Sequence, residues 1–405
     1  MADHVAILAD LIRRPSVNPM GRDVSGPEYL EGRVTDWLVQ RFTAAGLSWA
    51  RQPVAPGRDN VLVRLEATVP NAPTVLWDAH QDTVPADGMT IEPFTPLAHD
   101  GRMYGRGACD VKGGMAAMIA ALETLLENPA ERHATVVFSA TVNEEFGFSG
   151  AKALARLWDT SAAAAAPASD AAARGIVGGR PVLAIVAEPT GLDLVVQHKG
   201  SIRWRARVHG QACHSAFPEQ GRNAIYPAAR AALAIESLAG ELLARHPGHA
   251  CGPPTLNLGT IHGGAGVNLV PGLTVLEIER RVLPGECPAE SRAEVMRRIA
   301  AACGPARIEH DEPFLESGGL ADGTSAPDAA PWVAALEREA RRRGATAARV
   351  AARYGTNASV FAAAGVPGVV FGPGSIAQAH TADEWIDVDQ VGSAAAILAA
   401  LVGGG

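Results

Sequence analysis

Residues 74–82 read Thr-Val-Leu-Trp-Asp-Ala-His-Gln-Asp, an apolar run that ends on a histidine and two further polar residues. The run has the length and composition of a fully buried β-strand. Such strands are typical of parallel sheets covered on both faces, and these sheets bind ligands beyond the carboxyl ends of their strands. His80 and Asp82 therefore stand where an α/β sheet places functional groups. Taken alone, a His and an Asp two positions apart are more often structural.

The chain on both sides of this run alternates between strand and helix patterns. Further strands are predicted at 60–65, 135–142, 182–187 and 368–371. Helical spacing predicts helices at 29–45, 112–127, 332–343 and 391–401. Because strands and helices alternate, we expect an α/β domain with a mixed, mostly parallel sheet covered by helices.

A middle block departs from this alternation. It contains predicted strands at 201–210, 255–262 and 273–282 and predicted helices at 223–243 and 289–302. This pattern indicates a smaller α+β module of ferredoxin-like type. We therefore expect a catalytic domain formed by 1–195 and 315–405, interrupted by a lid and dimerisation domain at 196–314. The stretch 161–181, rich in Ala, Gly and Pro, is predicted to be a surface insertion, part helix and part loop.

Composition narrows the class of protein. The chain has 405 residues, 47% of them hydrophobic, and 35 basic against 43 acidic residues give a formal charge of −8. A globular chain of two or three domains is expected, and neither nucleic acid nor a membrane is its partner. Its five scattered cysteines indicate neither a disulfide framework nor a structural zinc cluster. Because no secretory signal or membrane-spanning run is apparent, we expect a cytoplasmic enzyme with a small-molecule substrate.

Polar residues also follow the other predicted strands. Glu144 and Glu145 come after 135–142, Glu188 after 182–187 and His380 after 368–371, while Asp110 precedes the helix at 112. An ordinary helix cap at Asp110 and a solvated turn at the paired glutamates are the simpler alternatives. Parallel strands, however, would bring these groups to one edge of the sheet. Such a set suits Zn²⁺, with Mn²⁺ or Co²⁺ as alternatives, and a shared carboxylate could hold two ions roughly 3.5 to 4 Å apart.

Together, these ordered motifs resemble the M20 family of co-catalytic metallopeptidases and deacylases over nearly the whole chain. The closest resemblance is to its acetylornithine deacetylase and succinyl-diaminopimelate desuccinylase branch. It implies that two divalent metal ions are bridged by Asp110, with His80 and Glu188 holding one ion and Glu145 and His380 the other. Asp82 would orient His80. Glu144 would be the general base that takes a proton from a metal-bound water.

The resemblance also assigns residues that contact the substrate. His214 would reach the active site of a partner subunit, which implies a homodimer, and Asn268 and Arg281 would hold the substrate's carboxylate. From the residues alone, a surface histidine and a salt bridge at the rim remain open alternatives. Thr356, Asn357 and Gly374 are further expected substrate contacts. Asn357 stands where many relatives have Asp, so the resemblance does not imply that a cationic group of the substrate is recognised there.

The function that these expectations favour is hydrolysis of an N-acyl amino acid or related amide by a metal-activated water. A dipeptidase or carboxypeptidase of the same family is the main alternative. A metal-binding homologue without catalysis is a second, although the presence of Glu144 argues against it. A nucleotide-binding enzyme that uses Gly105-Arg-Gly107 is a third, but this segment lacks the third glycine of the dinucleotide-binding motif.

Overall fold

The computed structural model describes residues 3–128, 131–158 and 168–403. The strands are β1 (Ser48–Ala55), β2 (Arg58–Leu65), β3 (Thr74–His80), β4 (Leu97–His99), β5 (Arg102–Tyr104), β6 (Thr135–Thr141), β7 (Leu183–Val186), β8 (Leu194–His198), β9 (Gly200–His209), β10 (Cys213–His214), β11 (Thr255–Gly263), β12 (Leu269–Val270), β13 (Leu273–Val282), β14 (Arg307–His310), β15 (Leu315–Ser317), β16 (Arg349–Ala352), β17 (Gly368–Val370) and β18 (Trp385–Asp387). The α-helices are α1 (His4–Ile12), α2 (Gly32–Ala44), α3 (Gly113–Glu127), α4 (Ser149–Ala155), α5 (Ala171–Val177), α6 (Ile225–Leu243), α7 (Pro288–Cys303), α8 (Ala330–Arg342), α9 (Asn357–Ala363) and α10 (Val388–Gly403). None of these helices combines the length and apolar character needed to cross a bilayer.

The chain divides into two compact units. The first comprises Met1–Val196, Asp322–Val350 and Thr356–Gly405, and the second comprises Gln197–Ala321 and Ala351–Gly355. The large sheet has the strand order β1-β2-β6-β3-β7-β17-β8-β16. Its four central strands, β6, β3, β7 and β17, are parallel, whereas β1 pairs with β2, β2 with β6 and β17 with β8 in antiparallel fashion. The predicted α/β fold with a mixed sheet is confirmed, and its four central strands pair in parallel.

Apolar side chains fix the helices of the first unit against this sheet. Trp77 on β3 and Phe138 on β6 are fully buried in the main core. Helix α3 is apolar along nearly its whole length because it packs between other elements, including α1 and α10. Helix α5 packs against β1 and β2, with Ala173 and Val177 buried. This helix lies within the stretch predicted to be a surface insertion, whose residues 161–167 lie outside the described residues.

The second unit has an antiparallel sheet and two long helices. Its sheet has the order β11-β13-β9-β14, with β15 also pairing with β9. Strand β9 alternates buried and half-buried residues from Ile202 onward, as expected for a sheet with one face in a core. Helices α6 and α7 contact each other and share the core with β9 and β13. A separate two-stranded ribbon pairs β10 with β12.

Candidate metal centre and active site

The parallel strands of the first unit bring the predicted metal ligands together. His80 is the last residue of β3, and Glu188 follows β7, the neighbouring strand in the sheet. Glu144 and Glu145 follow β6 on the other side of β3. Since these three strands are parallel and adjacent, their carboxyl ends deliver the side chains to one edge of the sheet.

Asp110 lies between the two histidines. Its Oδ1 is 3.1 Å from Nε2 of His80, and its Oδ2 is 3.2 Å from Nε2 of His380. Nε2 of His380 is also 3.3 Å from Oε1 of Glu145. Asp110 follows a turn that leads into α3, and its peptide bond to Val111 is cis. The carboxylate of Asp110 thus has one oxygen on each side of the cluster.

Two groups of donors could each hold a metal ion. The ligand atoms of His80, Asp110 and Glu188 lie within 4.8 Å of one another, and so do those of Asp110, Glu145 and His380. Both groups contain Asp110, which is the arrangement required of a bridging ligand. Imidazole nitrogens and carboxylate oxygens are suitable ligands for Zn²⁺ and similar divalent ions. The residues therefore fit a pair of ions.

The charges of the cluster also favour the binding of cations. Burial raises the pKa of Glu144 and of Glu188 well above the ordinary value, and the charges of neighbouring carboxylates add to the effect. Burial and the charge of Asp110 likewise raise the pKa of Glu145. Buried carboxylates in this number repel one another unless cations or protons compensate them. Divalent cations would supply that compensation.

The imidazoles are held by the same carboxylates. Hydrogen bonds to Asp110 and Glu145 raise the pKa of His380 to about 11. Nδ1 of His80 donates to the backbone carbonyl of Asp82 at 2.8 Å, so its Nε2 is the nitrogen that faces Asp110. This hydrogen bond fixes the ring orientation and leaves Nε2 as the ligand atom once its proton is released to bind a metal.

The predicted role of Asp82 needs a correction. Its carboxylate is 3.8 Å from Nδ1 of His80, too far for a hydrogen bond, and only its carbonyl group orients the ring. The carboxylate instead accepts from the backbone N–H groups of Glu144 at 3.0 Å and Glu145 at 3.2 Å, and from Nδ2 of Asn18 at 2.8 Å. Asp82 therefore fixes the backbone of the two glutamates. Sequence reasoning missed Asn18, which lies far from this motif along the chain.

The predicted substrate contacts of the first unit also need revision. The side chains of Thr356 and Asn357 are buried, at 0% and 1% exposure. Thr356 caps α9 by accepting from the N–H of Ala358, and Asn357 donates to Asp78 at 2.9 Å. Thr356 thus caps a helix, and the amide nitrogen of Asn357 makes buried hydrogen bonds, whereas its Oδ1 accepts none within the described residues.

Gly374 likewise has a role in the backbone. Its φ is +90°, and a Cβ there would lie 2.7 Å from Sγ of Cys109. Its N–H donates to Oε1 of Gln390 at 3.0 Å. The residue allows a close approach of two segments that no larger side chain would permit.

The remaining predicted residues lie in the second unit. His214 on β10 is exposed and pairs with Leu269 on β12, one residue after Asn268. The N–H of Ser215 donates to the carbonyl of Asn268 at 3.0 Å, so His214 and Asn268 belong to the same ribbon. Arg281 is on β13, where its guanidinium pairs with Glu279 at 3.0 Å.

Comparisons with known proteins agree with this arrangement. Residues 76–403 match the family described as Peptidase family M20/M25/M40. The chain is 31% identical to an acetylornithine deacetylase of Myxococcus xanthus, covering 91% of this chain and 90% of that protein. It is 32% identical to an acetylornithine deacetylase of Edwardsiella ictaluri, covering 98% and 96% of the two chains. An M20 family metallo-carboxypeptidase from Sulfolobus solfataricus has the same fold, with a TM-score of 0.77 at 16% identity over 100% of this chain and 99% of that one.

The protein is thus a metal-dependent hydrolase of amide bonds. It belongs to Peptidase family M20/M25/M40, as the match over most of its length and the two deacetylase relatives show. The predicted family, fold and class of enzyme are confirmed.

Proposed function

We propose that the protein is a deacylase, which hydrolyses the amide bond of an N-acyl amino acid with two divalent ions bound at Asp110. The observation that carries this proposal is the membership of Asp110 in both donor groups. The two relatives described above, each more than 30% identical to this chain, are both named acetylornithine deacetylase. Their names support the substrate class for this chain.

The proposed ligands follow from the two donor groups. His80 and Glu188 would hold one ion, Glu145 and His380 the other, and Asp110 both. Zn²⁺ is the proposed ion because mixed imidazole and carboxylate sets are typical of its catalytic sites. When bound, such ions polarise the amide carbonyl and lower the pKa of water.

Glu144 is the proposed proton carrier. It is 8% exposed, and its backbone is held by the hydrogen bond to Asp82. A general base works best when its pKa lies near the working pH, and burial raises the pKa of this carboxyl from its ordinary value. In the proposed reaction, Glu144 takes a proton from the attacking water and returns it to the departing amine.

His214 is suited to donate a hydrogen bond to the substrate. Its Nδ1 accepts from the N–H of Ala216 at 3.0 Å, so a neutral ring carries its proton on Nε2. We propose that this N–H stabilises the oxyanion in the active site of a second chain. Arg281 would bind the substrate's carboxylate together with Asn268. Its present partner, Glu279, also pairs with Arg203 at 2.7 Å, so one carboxylate faces two guanidinium groups.

A homodimer through the second unit is part of this proposal. Within the described residues, that unit carries most of the large exposed apolar side chains, which are Phe217, Tyr226, Leu233, Leu243, Ile261, Val267, Leu269 and Leu273. Strand β11 lies at the edge of its sheet, and an open edge can pair with another chain. Sedimentation should give a dimer, and a fully active monomer would contradict the role proposed for His214.

We also propose that the enzyme acts in the cytoplasm. All five of its cysteines are free, and Cys109, Cys251 and Cys303 are buried. Reduced cysteines are typical of proteins that stay in a reducing compartment. Fractionation of the native host cell should recover the protein with cytoplasmic markers, and recovery with periplasmic or secreted markers would contradict the proposal.

The substrate class can be tested directly. The purified protein, loaded with Zn²⁺ or Co²⁺, should hydrolyse N-acetyl amino acids in preference to dipeptides of the same amino acids. Glu144→Ala serves as the inactive control. Turnover of dipeptides alone would reject the deacylase in favour of a peptidase, and unchanged turnover by the control would reject Glu144 as the proton carrier.

A further inference from the structure

Glu384 makes an unusual set of contacts with one short segment of the chain. This side chain is 0% exposed. Its Oε1 accepts from the backbone N–H groups of Cys109 at 2.8 Å and Asp110 at 2.9 Å. Its Oε2 accepts from the N–H of Gly107 at 2.9 Å and from the guanidinium of Arg106 at 2.6 Å. Four donors from the turn at 106–110 thus converge on one carboxylate.

The turn is shaped to present these donors. Gly107 has a φ of +83°, and a Cβ there would lie 2.6 Å from the side chain of Thr83. Only glycine suits this position, because its backbone is left-handed and its neighbour is close. The segment Gly105-Arg-Gly107 therefore forms the turn that binds the Glu384 carboxylate. This role accounts for its glycines, and no nucleotide-binding role is needed. The N–H of Gly105 also donates to the backbone carbonyl of Glu384 at 3.0 Å.

The same carboxylate connects two of the metal-ligand segments. One of its donors is the N–H of Asp110, whose side chain lies between His80 and His380. His380 stands four residues before Glu384 on the loop that leads into β18. The contacts of Glu384 therefore tie the turn that carries the shared ligand to the loop that carries a ligand of the second ion.

We propose that Glu384 is a positioning residue, which holds the Asp110 turn and the His380 loop in the geometry that lets Asp110 serve both ions. The inference rests on the metal site of the proposed function. A carboxylate is required because it accepts with both oxygens and donates nothing. In Glu384→Gln, an NH₂ group would replace one of the two accepting oxygens, and its N–H groups would face two of these donors.

Glu384→Gln is the test variant, and Glu339→Gln is its matched control. Glu339 is also buried, at 4% exposure, and its carboxylate pairs with Arg338 at 3.2 Å and Arg342 at 3.0 Å. It lies on α8, which carries no metal ligand, so it reports the general cost of replacing a buried, paired glutamate. Binding of Zn²⁺ is measured by calorimetry with the full-length chains, and the site geometry by the visible absorption spectrum of bound Co²⁺.

We expect Glu384→Gln to weaken ion binding by roughly 10-fold to 100-fold, the range typical for groups that orient metal ligands. Its Co²⁺ spectrum should also change, whereas Glu339→Gln should keep the affinities and spectrum of the unmodified protein. Unchanged affinities and spectrum in Glu384→Gln would overturn the inference, and so would an equal loss in the control.

A second variant covers the case in which Glu384→Gln does not fold. Glu384→Asp keeps the charge but shortens the side chain by one methylene, so a folded Glu384→Asp protein should lose affinity in the same direction. Affinity equal to that of the unmodified protein would show that the position of this carboxylate does not matter.

Failure to hydrolyse N-acyl amino acids would reject the proposed substrate, but the measured ion affinities would still test the role of Glu384. Failure of the unmodified protein to bind two ions would reject both proposals.

Discussion

Asn357→Asp would place a second carboxylate against a buried one. Nδ2 of Asn357 donates to Oδ2 of Asp78 at 2.9 Å and to the hydroxyl of Thr141 at 3.0 Å. Both Asn357 and Asp78 are almost fully buried. The substitution replaces this donor by an acceptor, and two facing carboxylates can coexist there only by sharing a proton.

The expected cost follows from these contacts. Burial raises the pKa of Asp78 to about 6, against hydrogen bonds from Ser139, Asn357 and Thr141 that lower it. At pH 7, supplying the shared proton costs about 1.4 kcal/mol, since one pKa unit corresponds to about that free energy. The lost bond to Thr141 adds about 1 kcal/mol. The free energy of unfolding should therefore fall by about 2 to 3 kcal/mol at pH 7, and by less at pH 5.5, where the proton is available.

A double-mutant cycle gives the measurement. Urea unfolding of the metal-free protein, followed by tryptophan fluorescence, compares Asn357→Asp, Asp78→Asn and the double variant. The double variant exchanges donor and acceptor across the same contact, so it should recover to within about 1 kcal/mol of the unmodified protein. An unchanged urea midpoint for Asn357→Asp at pH 7, or simple additivity of the two changes, would refute this reasoning.

Three further predictions concern the site and the second unit. Glu144→Gln should lower kcat by at least about 100-fold with unchanged metal content, as expected on loss of a general base, and a smaller loss in a fully loaded enzyme would contradict that role. Gly372→Ala should weaken ion binding and lower the urea midpoint, because its Cβ would lie 2.6 Å from the carbonyl oxygen of Glu188; calorimetry showing normal affinity would count against the placement of Glu188. Burial lowers the pKa of His198 to about 4, although its hydrogen bond to the carbonyl of Lys199 has a raising effect. Between about pH 6.5 and 4, the unfolded chain therefore takes up a proton at this residue that the folded protein does not bind. His198 should therefore contribute a loss of about 3 kcal/mol over that window, measured as the difference between the metal-free unmodified protein and His198→Gln, which keeps a donor; equal slopes of unfolding free energy against pH in the two proteins would disprove it.

The sequence predicted the elements whose signal is local. The apolar run of β3 and those of β6 and β7 identified buried strands, and parallel pairing then placed His80, Glu145 and Glu188 at one edge. The limits of β13 agree with the prediction at both ends, and β3 begins at Thr74 as predicted. Continuous apolar runs predict such strands well because burial on both faces favours apolar residues at most positions.

Other features depended on contacts between distant parts of the chain. The edge strand β1, for example, was not predicted, since it mixes buried, half-buried and exposed residues and so lacks a continuous apolar run. Strand β8 was not predicted either. Helix α9 was also missed, and with it the buried role of Asn357 as the first residue of that helix. Glu384 is 274 residues from the N–H of Asp110 that it accepts from, so no local pattern connects them. An acidic residue shortly after His380 was the only available signal.

X-ray diffraction from crystals of the zinc-loaded protein, recorded at wavelengths on both sides of the zinc absorption edge, tests the metal centre most directly. The account predicts two zinc peaks roughly 3.5 to 4 Å apart, one beside His80 and Glu188 and one beside Glu145 and His380, with Asp110 contacting both. A single peak, or two peaks away from Asp110, would contradict it.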